Sequence, residues 1–150
     1  MLARSFVPAV AVLSLLAFGC HHGSSPSEPA HRDALSLVSI SPAEGSVLPY
    51  GQPVDVTVRV HYSFASAARG KTSLLVYPGS GQLPTGAPIF TDPFSFPVEG
   101  QDGETTLRFT IYFNLTPPPK GSPITLDFAL FPEGVTQTGI GFDLHYQLGS

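Results

Sequence analysis

The sequence predicts an all-β protein, a single sandwich of about seven antiparallel strands in two facing sheets. Three observations carry that expectation. Apolar residues recur at every second position in several runs, the period of a strand with one buried face. Turn-forming residues separate these runs at short intervals. The composition, with 16 Pro, 15 Gly, 11 Phe, no Trp and 12% charged residues, favours many short strands over helices.

In chain order, residues 1–19 come first and read as an export signal. Arg4 supplies a positive start, residues 6–18 are apolar apart from Pro8 and Ser14, and small Gly19 precedes Cys20. A membrane span needs about 20 apolar residues, and this run stops short of that before polar His21 and His22. The stretch Leu15-Leu16-Ala17-Phe18-Gly19-Cys20 resembles the lipobox of bacterial lipoproteins. That resemblance implies removal of residues 1–19 and lipidation of Cys20 as the new N-terminus. It also implies an exported, membrane-anchored protein, held at the outer membrane in a two-membrane host because residue 21 is His rather than Asp. Ala17 and Gly19 equally satisfy the small-x-small rule of ordinary signal peptidase, which would leave Cys20 a free thiol. Cys20 is the only cysteine, so the domain has no internal disulfide and is held by its core.

Residues 20–34 combine Gly, Ser, Pro and His without apolar periodicity and read as a flexible tether. About 14 such residues have an r.m.s. span on the order of 20 Å. His21, His22 and His31 fall in this segment, where capturing a metal would carry a large ordering cost and no fixed outer shell of partners.

Residues 35–150 have the length of one domain. A first strand is expected at 36–40. In 54–64, Val54, Val56, Val58, Val60, Tyr62 and Phe64 alternate with Asp55, Thr57, Arg59, His61 and Ser63. Shorter runs follow at 72–77 and 94–98, with 88–90 as an edge piece, and Pro97 marks its run as edge or bulged. Leu107, Phe109, Ile111, Phe113 and Leu115 share the next inner face. Ile124, Leu126, Phe128 and Leu130 oppose outward Thr125 and Asp127; Ile140, Phe142, Leu144, Tyr146 and Leu148 oppose outward Asp143, His145 and Gln147. Turns are expected at 42–45, 78–86, 100–103, 117–121 and 132–139.

The sequence Ser41-Pro42-Ala43-Glu44-Gly45, followed by Gly51-Gln52-Pro53-Val54 and the long alternating run, resembles the opening of bacterial immunoglobulin-like domains. A fibronectin-like or general bacterial variant is the closer comparison, since the Cys pair and core Trp of antibody domains are absent. The resemblance implies an immunoglobulin-like β-sandwich over residues 35–150 and no activity.

Enzymatic signatures are missing: there is no Gly-x-Ser-x-Gly, no His-Glu-x-x-His and no phosphate-cradling glycine loop, so neither catalysis nor a cofactor is expected. A net charge of −4 argues against a nucleic-acid partner. His61 and His145 point outward from strands of opposite sheets and cannot share a metal. Asp127, Asp143 and His145 are the candidate ligand or metal residues, because a hairpin through 132–139 brings Asp127 opposite Asp143 or His145 according to register. Glu99, Asp102 and Glu104 read as an acidic hairpin turn rather than a calcium loop. Phe90, Phe94, Tyr112 and Phe131 are candidates for an apolar contact patch. The glycosylation pattern Asn114-Leu115-Thr116 matters only in a eukaryotic secretory pathway.

The function expected from these readings is a lipid-anchored, non-catalytic module of the cell envelope making protein–protein or assembly contacts. Its partners would be the membrane, through the anchor, and an envelope protein or carbohydrate. The alternative is a small ligand- or metal-binding envelope lipoprotein using the outer face of the last two strands.

Overall fold

The computed structural model describes residues 32–80, 87–115, 117–135 and 139–150, so the expected signal, Cys20 and the expected tether up to residue 31 lie outside the described residues. Among the described residues nine strands run in the order β1 (Ala34–Ser41), β2 (Val47–Leu48), β3 (Pro53–Ser63), β4 (Arg69–Pro78), β5 (Thr91–Asp92), β6 (Ser95–Glu99), β7 (Asp102–Tyr112), β8 (Pro123–Pro132) and β9 (Ile140–Leu148). One sheet has the order β1-β3-β7-β5 and the other β2-β9-β8-β4-β6. Pairing is antiparallel except between β2 and β9. With β1, β3, β4, β5, β7, β8 and β9 as A to G, these are the A-B-E-D and G-F-C orders of an immunoglobulin-like sandwich. β6 extends the second sheet beyond β4.

The period-two patterning is what closes the two sheets. In β3 every second residue from Val54 to Tyr62 is buried, and β-branched Val suits such a pleated, one-sided position. Phe128 of β8 is fully buried, with its ring centroid 6.0 Å from that of Phe109 and 5.2 Å from that of Phe142. These rings join the sheets, because Phe109 belongs to β7. Tyr146 is buried and donates its hydroxyl to the Pro42 carbonyl at 3.0 Å. Burial, with a smaller contribution from Glu44, pushes its phenol up to about 12.

Several expectations change once pairing is considered. β2 and β5 are too short for alternation to reveal them. β4 starts at Arg69 rather than residue 72, because Gly70 and Lys71 join the sheet by backbone pairing with Pro132 and Phe131. The expected edge piece at 88–90 contributes a single bridge, Ile89 to Val76. Leu115 is 59% exposed, since β7 has already ended at Tyr112. Ile140 is exposed as well, at an edge that β2 does not reach, for β2 pairs only with Gln147 and Leu148. The segment around Gly100 is a crossing between sheets and not a hairpin, as β6 pairs with β4 whereas β7 pairs with β3. Gly100 takes φ +91°, which a side chain would resist.

The point where the chain joins the domain is well tied. Ser63 Oγ donates to the Arg32 carbonyl at 2.5 Å, and the Ala65 amide donates to Asp33 Oδ1 at 2.8 Å. Anything carried by the preceding residues is therefore attached at the end of β3, beside the 99–102 crossing. The end of β4, the end of β7 and the C-terminus lie at the opposite pole.

Candidate functional site

Asp127 and Asp143 face one another across β8 and β9. His145 lies one outward position further along, opposite Thr125, with its Nδ1 3.3 Å from Thr125 Oγ1. Thus the register brings the two carboxylates together and gives the imidazole a hydroxyl instead. Among the described residues no three His, Cys, Asp or Glu side chains are grouped to hold a metal ion. Partial burial, and then the Asp143 carboxylate, raise the Asp127 pKa above its usual range. Tyr77, buried on the neighbouring strand, is raised by burial and by the same two carboxylates.

This pair has a definite effect on stability. Because the folded state holds the Asp127 proton more tightly than the unfolded chain, stability falls as pH rises through the folded-state pKa. Above it the ionised pair is a repulsion. Asp127→Asn is expected to stabilise the domain at neutral pH by roughly 0.2–0.5 kcal/mol, the scale of a like-charge cross-strand pair. Thermal melts should show that gain shrinking as pH falls toward 3.8 and vanishing below it, where Asp127 is protonated in both states. A variant less stable than wild type at pH 7 would contradict the assignment.

The other acidic candidates are separated by their pairing. Glu104 forms an ion pair with Arg59, and Asp102 lies 3.4 Å from His61 Nε2, both across the β3–β7 ladder. Glu99 ends β6 and its carbonyl accepts the Tyr62 hydroxyl. His61 and His145 stand in different sheets, as expected, with β3 in one and β9 in the other.

The aromatic candidates divide between the two poles. Phe131 lies near the pole where the chain enters, with Lys71 Nζ 5.8 Å from its ring centroid, in a cleft of about 540 Å³. In that cleft the Arg69 guanidinium is held by Glu133 at 2.5 Å, which keeps the Glu133 carboxyl below its usual pKa range. Phe90, Phe94 and Tyr112 lie toward the other pole, against the second half of β4 and the end of β7. Phe90 packs its ring 5.5 Å from that of Tyr112 and is 54% exposed; Phe94 is 63% exposed.

Local pairing explains this exposure. β6 covers β4 only from Arg69 to Ser73, so beyond that point the chain between the sheets lies against β4. There the Leu74 amide donates to the Phe94 carbonyl and the Ile89 amide to the Val76 carbonyl. The result is an apolar groove of about 300 Å³, floored by Val76 and Ile89 and bordered by Leu75, Phe90 and Phe94. Leu75 is 51% exposed, which the sequence does not single out. Within the uninterrupted run Leu74-Leu75-Val76 its outward parity was the only signal.

No family model matches the chain, and no curated protein does. Among solved structures, the periplasmic chaperone SfaE is similar at 17% identity and a TM-score of 0.47, covering 77% of this chain and 57% of that one. The chain thus spans a little over half the length of that protein. A PapD-like (ASH) domain of human CEP192 is similar at 13% identity and a TM-score of 0.42, covering 95% and 97% of the two chains. Neither likeness bears on function at this level.

Proposed function

We propose that the chain is a lipid-anchored, non-catalytic module of the bacterial envelope that holds a protein partner through the groove at Leu75, Phe90 and Phe94. The observation that carries this reading is the gathering of three large, half-exposed apolar side chains around one groove, two of them the only exposed phenylalanines among the described residues. Such a patch has a free-energy incentive to be covered, about 25 cal/mol for each Å² of apolar surface removed from water. The groove lies in the half of the domain remote from the point where the tether joins, so a partner would meet it clear of the membrane. Cys20 supplies the anchor in this reading, through the lipobox that it ends.

Two measurements test the two halves separately. A photocrosslinking residue at Phe94 in intact cells should give an adduct with a distinct envelope protein, while the same residue at His61 should not. Absence of the Phe94 adduct, or equal labelling at both positions, would remove the groove from the proposal. Cys20→Ser should move the protein from the membrane to the soluble fraction. An unchanged distribution would exclude lipid anchoring at that residue.

A further inference from the structure

We propose that the uncovered edge of β7, from Gly103 to Phe109, accepts an extended peptide segment of the partner as an added strand, with an acidic residue of that segment meeting Arg108. This rests on the reading of the domain as a protein-binding module and adds the form and charge of what is bound.

β7 pairs along its whole length with β3 on one side, but on the other side β5 covers only Thr110 and Ile111. The Tyr112 amide donates to the Phe90 carbonyl on that second side. Backbone direction alternates along a strand, so Thr110, Arg108, Thr106 and Glu104 also aim their N–H and C=O groups that way. Thr110 is met by Asp92; the next three have no backbone partner there among the described residues. After Asp92 the chain leaves for the other sheet, where β6 pairs with β4. A strand position is therefore begun by β5 and left open. Such an edge is a template for another strand.

Charge selects the occupant. On the outer face of this sheet Arg59 is paired with Glu104, His61 lies against Asp102, and Asp55 accepts a hydrogen bond from Thr110 Oγ1 at 2.7 Å. Arg108 is exposed and makes no ion pair among the described residues, although Asp55 and Asp92 line the same hollow of about 310 Å³. A carboxylate on the incoming strand, two positions beyond the line of Asp92, would stand directly opposite Arg108 and could bind it in bidentate fashion. The groove and this edge adjoin, because residues 88–91 wall the groove and Thr91 and Asp92 cover the end of β7.

The probes are two capped nine-residue peptides alternating Val and Thr, with either Glu or Lys at the central outward position. They are titrated into the purified full chain in detergent and followed by amide NMR and anisotropy. The Glu peptide should bind more tightly than the Lys peptide and slow hydrogen exchange at Glu104, Thr106 and Arg108. Thr106→Pro, which removes one edge donor, should weaken binding at least tenfold, and Arg108→Glu should invert the preference between the peptides. Arg108→Glu is an exposed change expected to keep the fold, which the amide spectrum checks directly, so it decides the matter if Thr106→Pro unfolds. Failure of the Glu peptide to bind, or binding indifferent to both variants, would overturn the inference even where Phe94 crosslinks. So would sedimentation as a dimer that Thr106→Pro dissolves, which would assign the edge to a second copy of the chain.

Discussion

Phe128→Ala is expected to destabilise the domain by about 3–5 kcal/mol, the cost of removing a large ring from a core that cannot fully collapse around the cavity. Phe128 has no exposed surface and stands between Phe109 of the opposite sheet and Phe142 of its own. Its loss therefore weakens both contact between the sheets and the seating of β9. A domain of this size has a net stability of about 5–15 kcal/mol, so the variant should melt far below wild type or fail to fold. No disulfide is present to compensate, since Cys20 is the only cysteine. Phe128→Leu, which keeps most of the volume, should lose much less. Urea unfolding of the three proteins checks the order. A Phe128→Ala loss under about 1 kcal/mol would mean that the sheets are not closed by this cluster of rings.

Gly141→Ala should be damaging for the opposite reason, excess volume. A Cβ at Gly141 would lie 1.7 Å from the Phe128 carbonyl oxygen and 3.0 Å from Ala129 Cα, both backbone atoms of β8. Neither can turn aside as a side chain would, so β9 has to move away from β8 locally. The expected cost is about 3 kcal/mol, near the upper end for overpacking. Gly45 makes a useful contrast: a Cβ there meets nothing, although its φ of +79° opposes substitution by conformation alone. Gly45→Ala is thus expected to cost about 1 kcal/mol, less than Gly141→Ala. Equal losses at the two sites, measured by thermal and urea unfolding, would show that β8 and β9 lie further apart than this geometry places them.

The strands were legible where one face is consistently apolar. From Val54 to Tyr62 the buried positions are those that parity indicated, because hydrophobic burial acts on single side chains and repeats with the pleat. Leu115 and Ile140 marked the limits of that reasoning. Their parity was right for the core, but one lies beyond the end of its strand and the other at an uncovered edge. The candidate site was legible only in outline. Asp127 and Asp143 were recognised as outward groups, yet which residue each faced depended on the register of a hairpin whose connection carries little apolar pattern. Phe90 and Phe94 stand out as aromatic loop residues, while Leu75 is hidden in an apolar run and Arg108 in the polar outward row of its strand.

By itself the sequence determined the class of the fold and the composition of its core, since alternation, turn residues and the absence of a second cysteine are local properties of the chain. Which edges remain open was decided only by the tertiary structure. β5 covers two residues of β7 and then departs, and β6 stops at Ser73 of β4, leaving the groove and the unfilled strand position side by side. Backbone hydrogen-bonding groups are the same in every residue, so no pattern of side chains announces which of them find partners. That depends on where the connecting segments pass between the sheets.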